Sequence, residues 1–430
     1  MNKEKGYNNV KKLLWLYIIL LLIEGALRKW IFPSLATPLL VVRDPVALWI
    51  MLLALKYNIL KFDLYIGTLF IVAFLSIPIA VYMGHGNIFV AIYGARIFIL
   101  HLPLVFLMGI VFTRDDVIKF GKIIVYFLVP MTALIVAQFY SPQTSFVNRG
   151  VGGDETGGGF SGANGFYRPP GIFSFTSGNV MYYSVATCFV LWFWVAEKRF
   201  IDSKILVCST IAFIIAIPMS ISRSLVFQVF IAIIFMVATL TKRPKILGRL
   251  FSGLFLILLI FYFLKDISFF STAIDAFNTR FDSASTAEGG INGTIFDRFL
   301  GGLFGAIFNN PSIPYFGYGI GLGTNVGAMV TTGTTGFIVA EGEWGRMIGE
   351  MGFIFGMSII ILRVTLSFQL LTSSYKEIGN NNILPWMLMS YTFLSIIQNQ
   401  LGQPTSLGFT VLVGGLAMAS LKSNNTTQRK

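Results

Sequence analysis

Charged side chains and metal-binding residues are both scarce in this sequence. Asp, Glu, Lys and Arg make up only 12% of the 430 residues, about half of the roughly 25% that is usual in soluble domains. This scarcity excludes a soluble enzyme and a disordered chain. The two histidines, His85 and His101, and the two cysteines, Cys188 and Cys208, form no cluster in the sequence. We therefore expect no metal centre and no disulfide framework.

Apolar residues make up most of what remains. They reach 55% of the chain, close to the share that about twelve spanning helices of ~20 residues would need. The hydropathy pattern predicts an all-α polytopic membrane protein with about twelve transmembrane helices and two long external loops. Helices 1–5 are predicted in residues 1–139, helices 6–9 in 179–264, and helices 10–12 with a cytoplasmic tail in 345–430. The two loops fall at 140–178 and 265–344.

The basic residues indicate how the chain is oriented in the membrane. If the predicted spans alternate from a cytoplasmic N-terminus, about twenty of the 32 Lys and Arg residues fall on the cytoplasmic side. The acidic residues on that side leave an excess of about +13, equal to the net charge of the whole chain. We therefore predict cytoplasmic N- and C-termini and a nearly neutral external face. The basic excess is a topology signal rather than a nucleic-acid interface.

Ionisable residues lie near the external ends of the first predicted spans. Glu24 and Arg28 are four residues apart on one helix face, so they can form an ion pair. Arg43 or Arg28 could bind an anionic headgroup, although an interfacial anchoring role is the simpler explanation. Arg96 lies inside a span, where a cation costs roughly 2.5–3.5 kcal/mol. It should therefore face a polar partner or cavity, unless its side chain extends to the boundary.

Two further arginines stand in segments with unusual backbone signals. Arg168 belongs to FYRPPGIFS, where two prolines and a glycine predict a stiff loop rather than a helix. Tyr167 and Phe173 beside it suit a site that binds sugar and phosphate together. Arg223, in MSISRSLVF, begins a span, and an arginine combined with helix N-terminal amides can bind an anion. The alternative for Arg223 is an ordinary interfacial arginine.

The second loop adds another group of candidates. It contains Arg280, Arg298 and the glycine-rich GYGIGLG, whose backbone N–H groups could cradle a phosphate. Where the chain re-enters the membrane, AEGEWGRMIGEMGFIFG supplies Glu341, Glu343 and Arg346. A carboxylate at such a boundary is a candidate general base, because partial burial raises its pKa. The alternative is that these carboxylates only pair with Arg346.

The order of these motifs resembles a known family. The span start ISRS (Ile221–Ser224), Arg298 followed by GYGIGLG, and the re-entry EGEWGRMIGEMGFIFG resemble the O-antigen polymerase/O-antigen ligase superfamily of membrane glycosyltransferases. The resemblance covers residues 166–356 in its motifs and the whole chain in its span layout. It implies a GT-C-like fold in the bacterial inner membrane, with the active site on the periplasmic face.

The resemblance also implies an activity. Members of the superfamily transfer a glycan from undecaprenyl diphosphate to an acceptor sugar without a metal or other cofactor. Their motif arginines match Arg168, Arg223 and Arg298, of which Arg223 and Arg298 are the expected catalytic cations. We expect Arg168 to bind the substrate, and we expect further substrate contacts from Arg43, Arg96, Arg280, Glu343 and Arg346.

One departure from the family pattern bears on the reaction. Ligase members carry a His–Asn pair where this chain has Glu341 and Gly342. The difference favours a polymerase of lipid-linked O-antigen or exopolysaccharide repeats, with Glu341 as the general base. A ligase that transfers glycan to lipid A-core or to protein is the first alternative, and a transporter or flippase of lipid-linked glycans is the second. Expected partners are undecaprenyl-diphosphate-linked glycans and membrane lipid, with a chain-length regulator and a flippase as candidates.

Overall fold

The computed structural model describes residues 2–196, 198–239, 267–287, 313–333 and 338–422, with isolated residues between 247 and 263. This part of the chain is mostly helical. Its α-helices, in chain order, are α1 (Asn2–Ala26), α2 (Ala36–Leu39), α3 (Arg43–Lys56), α4 (Leu64–Tyr82), α5 (Ile88–Arg96), α6 (Pro103–Val111), α7 (Arg114–Tyr140), α8 (Thr176–Val195), α9 (Ser203–Met219), α10 (Arg223–Ala238), α11 (Ser268–Ala287), α12 (Asn325–Thr332), α13 (Glu343–Gly379), α14 (Leu384–Gln398) and α15 (Pro404–Ser420).

Shorter elements interrupt this helical pattern. Two π-helical segments, Leu27–Ile31 after α1 and Ile97–His101 between α5 and α6, lie next to ionisable side chains. Such segments are rare and are found frequently at functional sites. An antiparallel hairpin of β1 (Phe160–Ala163) and β2 (Phe166–Arg168) stands in the segment between α7 and α8.

Polar side chains determine where several helices begin. At the start of α7, Thr113 accepts a hydrogen bond from the backbone of Asp116, whose carboxylate accepts one from the backbone of Thr113. This reciprocal capping box satisfies two amides that lack a partner within the helix. Asp63 and Asn87 accept amide hydrogen bonds in the same way at the starts of α4 and α5. Within α13, Gly352 has φ 72° and ψ 179°, which kinks the helix.

Six helical segments of the described chain are long and apolar enough to cross a membrane. They are Pro33–Lys56, Leu64–Tyr82, Ile88–Val111, Arg114–Tyr140, Thr176–Val195 and Glu343–Gly379. Three shorter helices, α9, α10 and α15, are also apolar. A helical fold with membrane-length apolar helices is therefore confirmed. The count of twelve spans stays a prediction, and the ninth predicted span, near residues 250–264, lies mostly outside the described residues.

Apolar side chains cover the outer faces of the helices, and glycines lie at contacts between helices. Large apolar side chains such as Ile71, Phe74, Phe127 and Ile361 are more than half exposed, as expected for surfaces that contact lipid tails. Inside, glycines allow close helix contacts: a Cβ at Gly109 of α6 would lie 2.8 Å from the Cβ of Met418 in α15. Small residues at helix interfaces are typical of membrane bundles.

Glycines also bring the candidate segments together. A Cβ at Gly25 of α1 would lie 2.4 Å from the carbonyl oxygen of Ile172, in the segment that follows the hairpin. A Cβ at Gly94 of α5 would lie 2.4 Å from the backbone nitrogen of Gly321, in the glycine-rich run. Any side chain at Gly25 or Gly94 would therefore force these backbones apart.

Candidate functional site

The hairpin fixes the position of Arg168. Asn164 and Gly165 join the strands with φ values of 52° and 79°, which match the two left-handed positions of a type I′ turn. Register then pairs Arg168 with Phe160 on the neighbouring strand. The dipeptide Asn-Gly is a strong hairpin signal, so this turn is encoded locally in the sequence.

The corner between α9 and α10 positions Arg223 beside this hairpin. Ile221 has a φ of 44°, a left-handed conformation that is uncommon for a β-branched residue and points to a constrained backbone. Ser222 caps α10 through its side chain. A Cβ at Gly162 of β1 would lie 2.9 Å from the Cδ1 of Ile221. The corner that precedes Arg223 therefore packs directly on the hairpin.

Three arginines converge at this contact, and we call Arg168, Arg223 and Arg280 the arginine cluster. Burial lowers the pKa of Arg168, and the positive charges of Arg280 and Arg223 lower it further. Arg280 lies on α11, which packs against α9 and β1. Asn164 Nδ2 of the hairpin turn donates a hydrogen bond to the hydroxyl of Thr279 in α11, at 3.2 Å. The structure thus brings Arg168 and Arg223 together with Arg280, whereas Arg298 lies outside the described residues.

Arg168 retains unused binding capacity. Its Nε is buried and has no hydrogen-bond partner in the described part of the chain. Exposed aromatic rings stand beside the guanidinium group: Arg168 Cζ is 5.9 Å from the ring of Phe160, which packs edge-on at 5.5 Å against Phe175. Phe160, Tyr167 and Phe175 are 47%, 43% and 49% exposed. A cation bordered by exposed rings can bind a phosphate and a sugar face together.

The turn that follows Arg168 is held by three buried side chains. The carbonyl oxygen of Gly171 accepts hydrogen bonds from Lys29 Nζ at 2.6 Å and from Gln138 Nε2 at 3.1 Å. Gln138 Oε1 accepts from the amide of Gly171 at 2.8 Å, and Asn179 Nδ2 donates to the carbonyl oxygen of Pro169 at 3.1 Å. Side chains from three helical segments thus hold the loop that the sequence predicts to be stiff.

A second group of polar residues, the interior polar network, lies between α1, α3 and the α5–α6 junction. It consists of Tyr17, Glu24, Arg43, Asp44, Arg96 and His101. Arg43 is 2% exposed, and each nitrogen of its guanidinium group donates to the protein: to Glu24, to Tyr17 and to the carbonyl oxygen of Pro404. Because Arg43 is buried and is held by these three bonds, the structure does not support the headgroup contact that we expected. The predicted Glu24–Arg28 pair is confirmed at 3.6 Å.

Arg96 faces this network rather than the boundary. Its Nη1 donates to Asp44 Oδ1 at 2.5 Å and lies 3.1 Å from His101 Nε2. His101 Nε2 is 3.0 Å from the same oxygen of Asp44, and His101 Nδ1 is 2.9 Å from the hydroxyl of Tyr17. The polar partner expected for Arg96 is therefore Asp44.

The carboxylates at the start of α13 form a third, fully internal group. Arg346 contacts Glu343 at 2.9 Å and Glu350 at 2.8 Å, and Arg363 contacts Glu343 at 2.8 Å. The side chains of these four residues are at most 4% exposed. Glu343 and Arg346 are thus bound to each other and to their neighbours, and the expected substrate contacts by these two residues are not supported.

The glycine-rich run does not offer a free phosphate cradle. Glu350 Oε2 accepts from the amide of Gly321 at 3.1 Å, and Glu350 Oε1 accepts from the amide of Gly323 at 2.7 Å. A carboxylate of the protein itself therefore occupies the amides that we expected to bind phosphate. The glycines fold this segment onto α5 and α13 instead.

Glu341 differs from these carboxylates. Its side chain is exposed, and its carbonyl oxygen accepts a hydrogen bond from Gln400 Nε2 at 2.5 Å. The expected partial burial of Glu341 is wrong, because the chain becomes buried only from Glu343 onward. The ion pair with Arg346 belongs to Glu343 and Glu350. A role for Glu341 as a base stays a prediction that rests on its position and accessibility.

The sequence alone indicated no binding or catalytic role for Asp44, His101, Lys29 or Gln138. The available signal was a charged or polar side chain in or beside an apolar run, which is costly and therefore informative. Among the described residues, no group of three or more His, Cys, Asp or Glu is arranged to hold a metal ion. Comparisons of the chain with protein-family models, with curated proteins and with solved structures found no match.

Proposed function

We propose that this chain is a membrane glycosyltransferase that polymerises undecaprenyl-diphosphate-linked oligosaccharide repeats, and that the arginine cluster binds the diphosphate. One observation carries the proposal: Arg223 and Arg280, from two other segments, both stand within electrostatic reach of the buried Arg168. Bringing like charges together costs free energy, which a bound anion offsets. The buried, unpartnered Nε of Arg168 supplies a donor for such an anion.

The chemistry uses these cations at the departing group. A hydroxyl of the acceptor sugar attacks the anomeric carbon of the donor, the bond from that carbon to the diphosphate oxygen breaks, and the lipid diphosphate leaves. Preorganised guanidinium groups stabilise the negative charge that develops on the diphosphate. The proton of the attacking hydroxyl passes to a base. Glu341 is the proposed base, since it is an exposed carboxylate where the chain re-enters the membrane.

The aromatic side chains support a sugar substrate over a free phosphate. Phe160 and Phe175 are exposed on the Arg168 side of the hairpin, and exposed rings at a polar site can stack on the apolar faces of sugar rings. A free inorganic phosphate would gain nothing from these rings. The combination of cations and rings therefore favours a phosphorylated glycan.

The cellular setting belongs to the same proposal. The charge distribution supports N- and C-termini in the cytoplasm, and the family resemblance implies an active site on the periplasmic face of a bacterial inner membrane. About twelve spans, a chain-length regulator and a flippase complete the proposed arrangement. A ligase would use the same diphosphate site with a different acceptor, and a lipid-linked glycan transporter would form no glycosidic bond.

The decisive experiment uses the purified protein and synthetic undecaprenyl-diphosphate repeats, with products separated on a gel. We expect a ladder of glycans that differ by one repeat. Transfer to lipid A-core in place of a ladder would identify a ligase, and unchanged substrate would contradict glycosyl transfer.

The Arg168→Gln variant tests the arginine cluster in the same assay. Loss of one charge-assisted contact should cost about 1.5–3 kcal/mol, roughly ten- to hundredfold in activity. Arg168→Lys should recover only part of this loss, because lysine lacks the bidentate fork. Arg149→Gln is the matched control, since Arg149 lies in the same loop and pairs at the surface with Glu155 at 3.0 Å. Equal activity of the two Gln variants would remove Arg168 from the site.

A further inference from the structure

The π-helical segment between α5 and α6 gives the interior polar network its geometry. Residues five apart point about 140° away from each other in an α-helix, which has 3.6 residues per turn. In a π-helix the hydrogen bonds run between residues five apart, and here the amide of Leu102 donates to the carbonyl oxygen of Ile97 at 2.9 Å. The wider turn lets Arg96 and His101 face the same way. Both therefore reach Asp44 Oδ1.

One chain of hydrogen bonds in the network runs from Arg43 through Tyr17 and His101 to Asp44. Arg43 Nη1 can only donate, so the hydroxyl of Tyr17 accepts from it at 3.3 Å and donates to His101 Nδ1. His101 then carries its proton on Nε2 and donates it to Asp44. This order keeps His101 neutral and Asp44 ionised. It also fixes the carboxylate from one side only.

The other side of this carboxylate has spare capacity. In the described part of the chain, the hydrogen bonds to Asp44 all fall on Oδ1, and the side chain is 21% exposed. Arg96, with a side chain only 9% exposed, has a buried Nε without a hydrogen-bond partner in the described part of the chain. The guanidinium group of Arg96 lies 3.8 Å from the centre of the Tyr93 ring. An exposed acceptor oxygen of Asp44 and a buried donor of Arg96, neither bonded within the described chain, thus stand on contacting side chains.

The charges of the region select the class of ligand. Three arginines (Arg28, Arg43 and Arg96) face two carboxylates (Glu24 and Asp44), so the region has an excess of one positive charge when His101 is neutral. This excess disfavours a cation at Asp44. A neutral vicinal diol fits better, because one hydroxyl donates to the carboxylate while its neighbour accepts from the guanidinium group.

We propose that Asp44 and Arg96 form a second glycan subsite, which binds ring hydroxyls of the acceptor sugar. This inference rests on the proposed function, in which the donor is held separately by its diphosphate at the arginine cluster. The two sites are joined by the segment after β2: Arg168 lies at its start, and Ser174 accepts a hydrogen bond from Arg28 Nη1 at 3.0 Å. Tyr17 and His101 are positioning residues that orient Asp44.

Binding of the free acceptor tests the subsite without relying on turnover. The probe is the oligosaccharide repeat released from its lipid diphosphate by mild acid, added to the full chain in lipid nanodiscs and followed by saturation-transfer NMR. We expect Asp44→Asn and Arg96→Gln to weaken its binding by about ten- to hundredfold. Arg149→Gln, at a surface position outside both sites, should bind like the wild type. Binding of the free repeat to Asp44→Asn within twofold of wild type would overturn the inference.

Additional variants keep the result interpretable. If Asp44→Asn fails to insert, Asp44→Glu retains the charge but moves the carboxylate by one methylene, and it should weaken binding in the same direction. Unchanged binding in Asp44→Glu and Arg96→Lys would then overturn the subsite. Wild-type binding of the repeat without any glycan ladder would contradict the proposed function and leave the subsite standing. If a glycan ladder forms and Asp44→Asn leaves the half-saturating concentration of the acceptor unchanged, the proposed function stands and the subsite is overturned.

Discussion

Lys29 donates a 2.6 Å hydrogen bond from Nζ to the carbonyl oxygen of Gly171, a residue 142 positions further along the chain. Lys29 is fully buried, and no carboxylate of the described chain lies within ion-pair distance of it. A buried ammonium group is costly unless hydrogen bonds offset its loss of water. The contact therefore holds the turn that follows Arg168 against the π-helical segment Leu27–Ile31.

This relationship predicts a selective effect of Lys29→Met. The variant removes the charge-assisted bond to Gly171 and loosens the turn, so the half-saturating concentration of the lipid-linked donor should rise about tenfold. The half-saturation for the acceptor should change much less, because the acceptor does not depend on Arg168. Steady-state assays with each substrate varied in turn measure both quantities. Lys12→Met, at an exposed position of α1, is the control. Equal shifts of the two half-saturating concentrations in Lys29→Met would contradict the prediction.

The predicted orientation can be checked by cysteine labelling. In a background without the exposed Cys208, a cysteine at Ser161 of the hairpin should react with a membrane-impermeant maleimide added to intact cells. A cysteine at Lys61, between α3 and α4, should react only after the membrane is opened. These outcomes follow from the excess of basic residues on the cytoplasmic side. The opposite pattern at the two positions would reverse the orientation.

Local features of the structure could be predicted because local physics determines them. The apolar run after Asp63 is one of the spans predicted within residues 1–139, and the structure has α4 (Leu64–Tyr82) there. The spacing of Glu24 and Arg28 gave their ion pair, since residues four apart share a helix face. The prolines and the glycine after Arg168 indicated a loop, and the structure has one there.

Contacts between distant segments could not be predicted in the same way. Glu350 binds the amides of Gly321 and Gly323, and no periodicity links a helix to a loop nearly thirty residues away. The π-helical turn that aligns Arg96 with His101 also has no simple sequence signal, because an ordinary helix points the two residues apart. A role for Asp44 therefore could not be inferred before the packing of the helices was known.

The contact between Glu350 and the glycine-rich run predicts a structural role. Glutamine at position 350 would turn an –NH₂ group toward donors, namely the amides of Gly321 and Gly323 or the guanidinium group of Arg346. Breaking a buried charged pair in this way should cost about 3–5 kcal/mol of folding free energy. Thermal unfolding of Glu350→Gln in detergent should therefore show a clearly lower midpoint. A midpoint equal to that of wild type would mean that the run is held by other contacts.

Variants of Glu341 and Glu343, two residues apart, should distinguish a catalytic carboxylate from a structural one. Glu343 is bound by Arg346 and Arg363, so Glu343→Gln should lower the unfolding midpoint by the mechanism expected for Glu350. Glu341 is exposed, and surface substitutions usually change stability by no more than about 0.5 kcal/mol.

If Glu341 accepts the proton of the acceptor hydroxyl, Glu341→Gln should keep the wild-type midpoint and donor binding but lose about 100-fold or more in turnover. Donor binding, unfolding and polymer yield are to be measured on one preparation of each variant. If the turnover of Glu341→Gln stays within a few-fold of wild type from pH 6 to 9, Glu341 is not the base. Stabilisation of the departing diphosphate would then drive the transfer alone. The arginine cluster would then supply the whole of the rate enhancement, and its variants should show the larger losses.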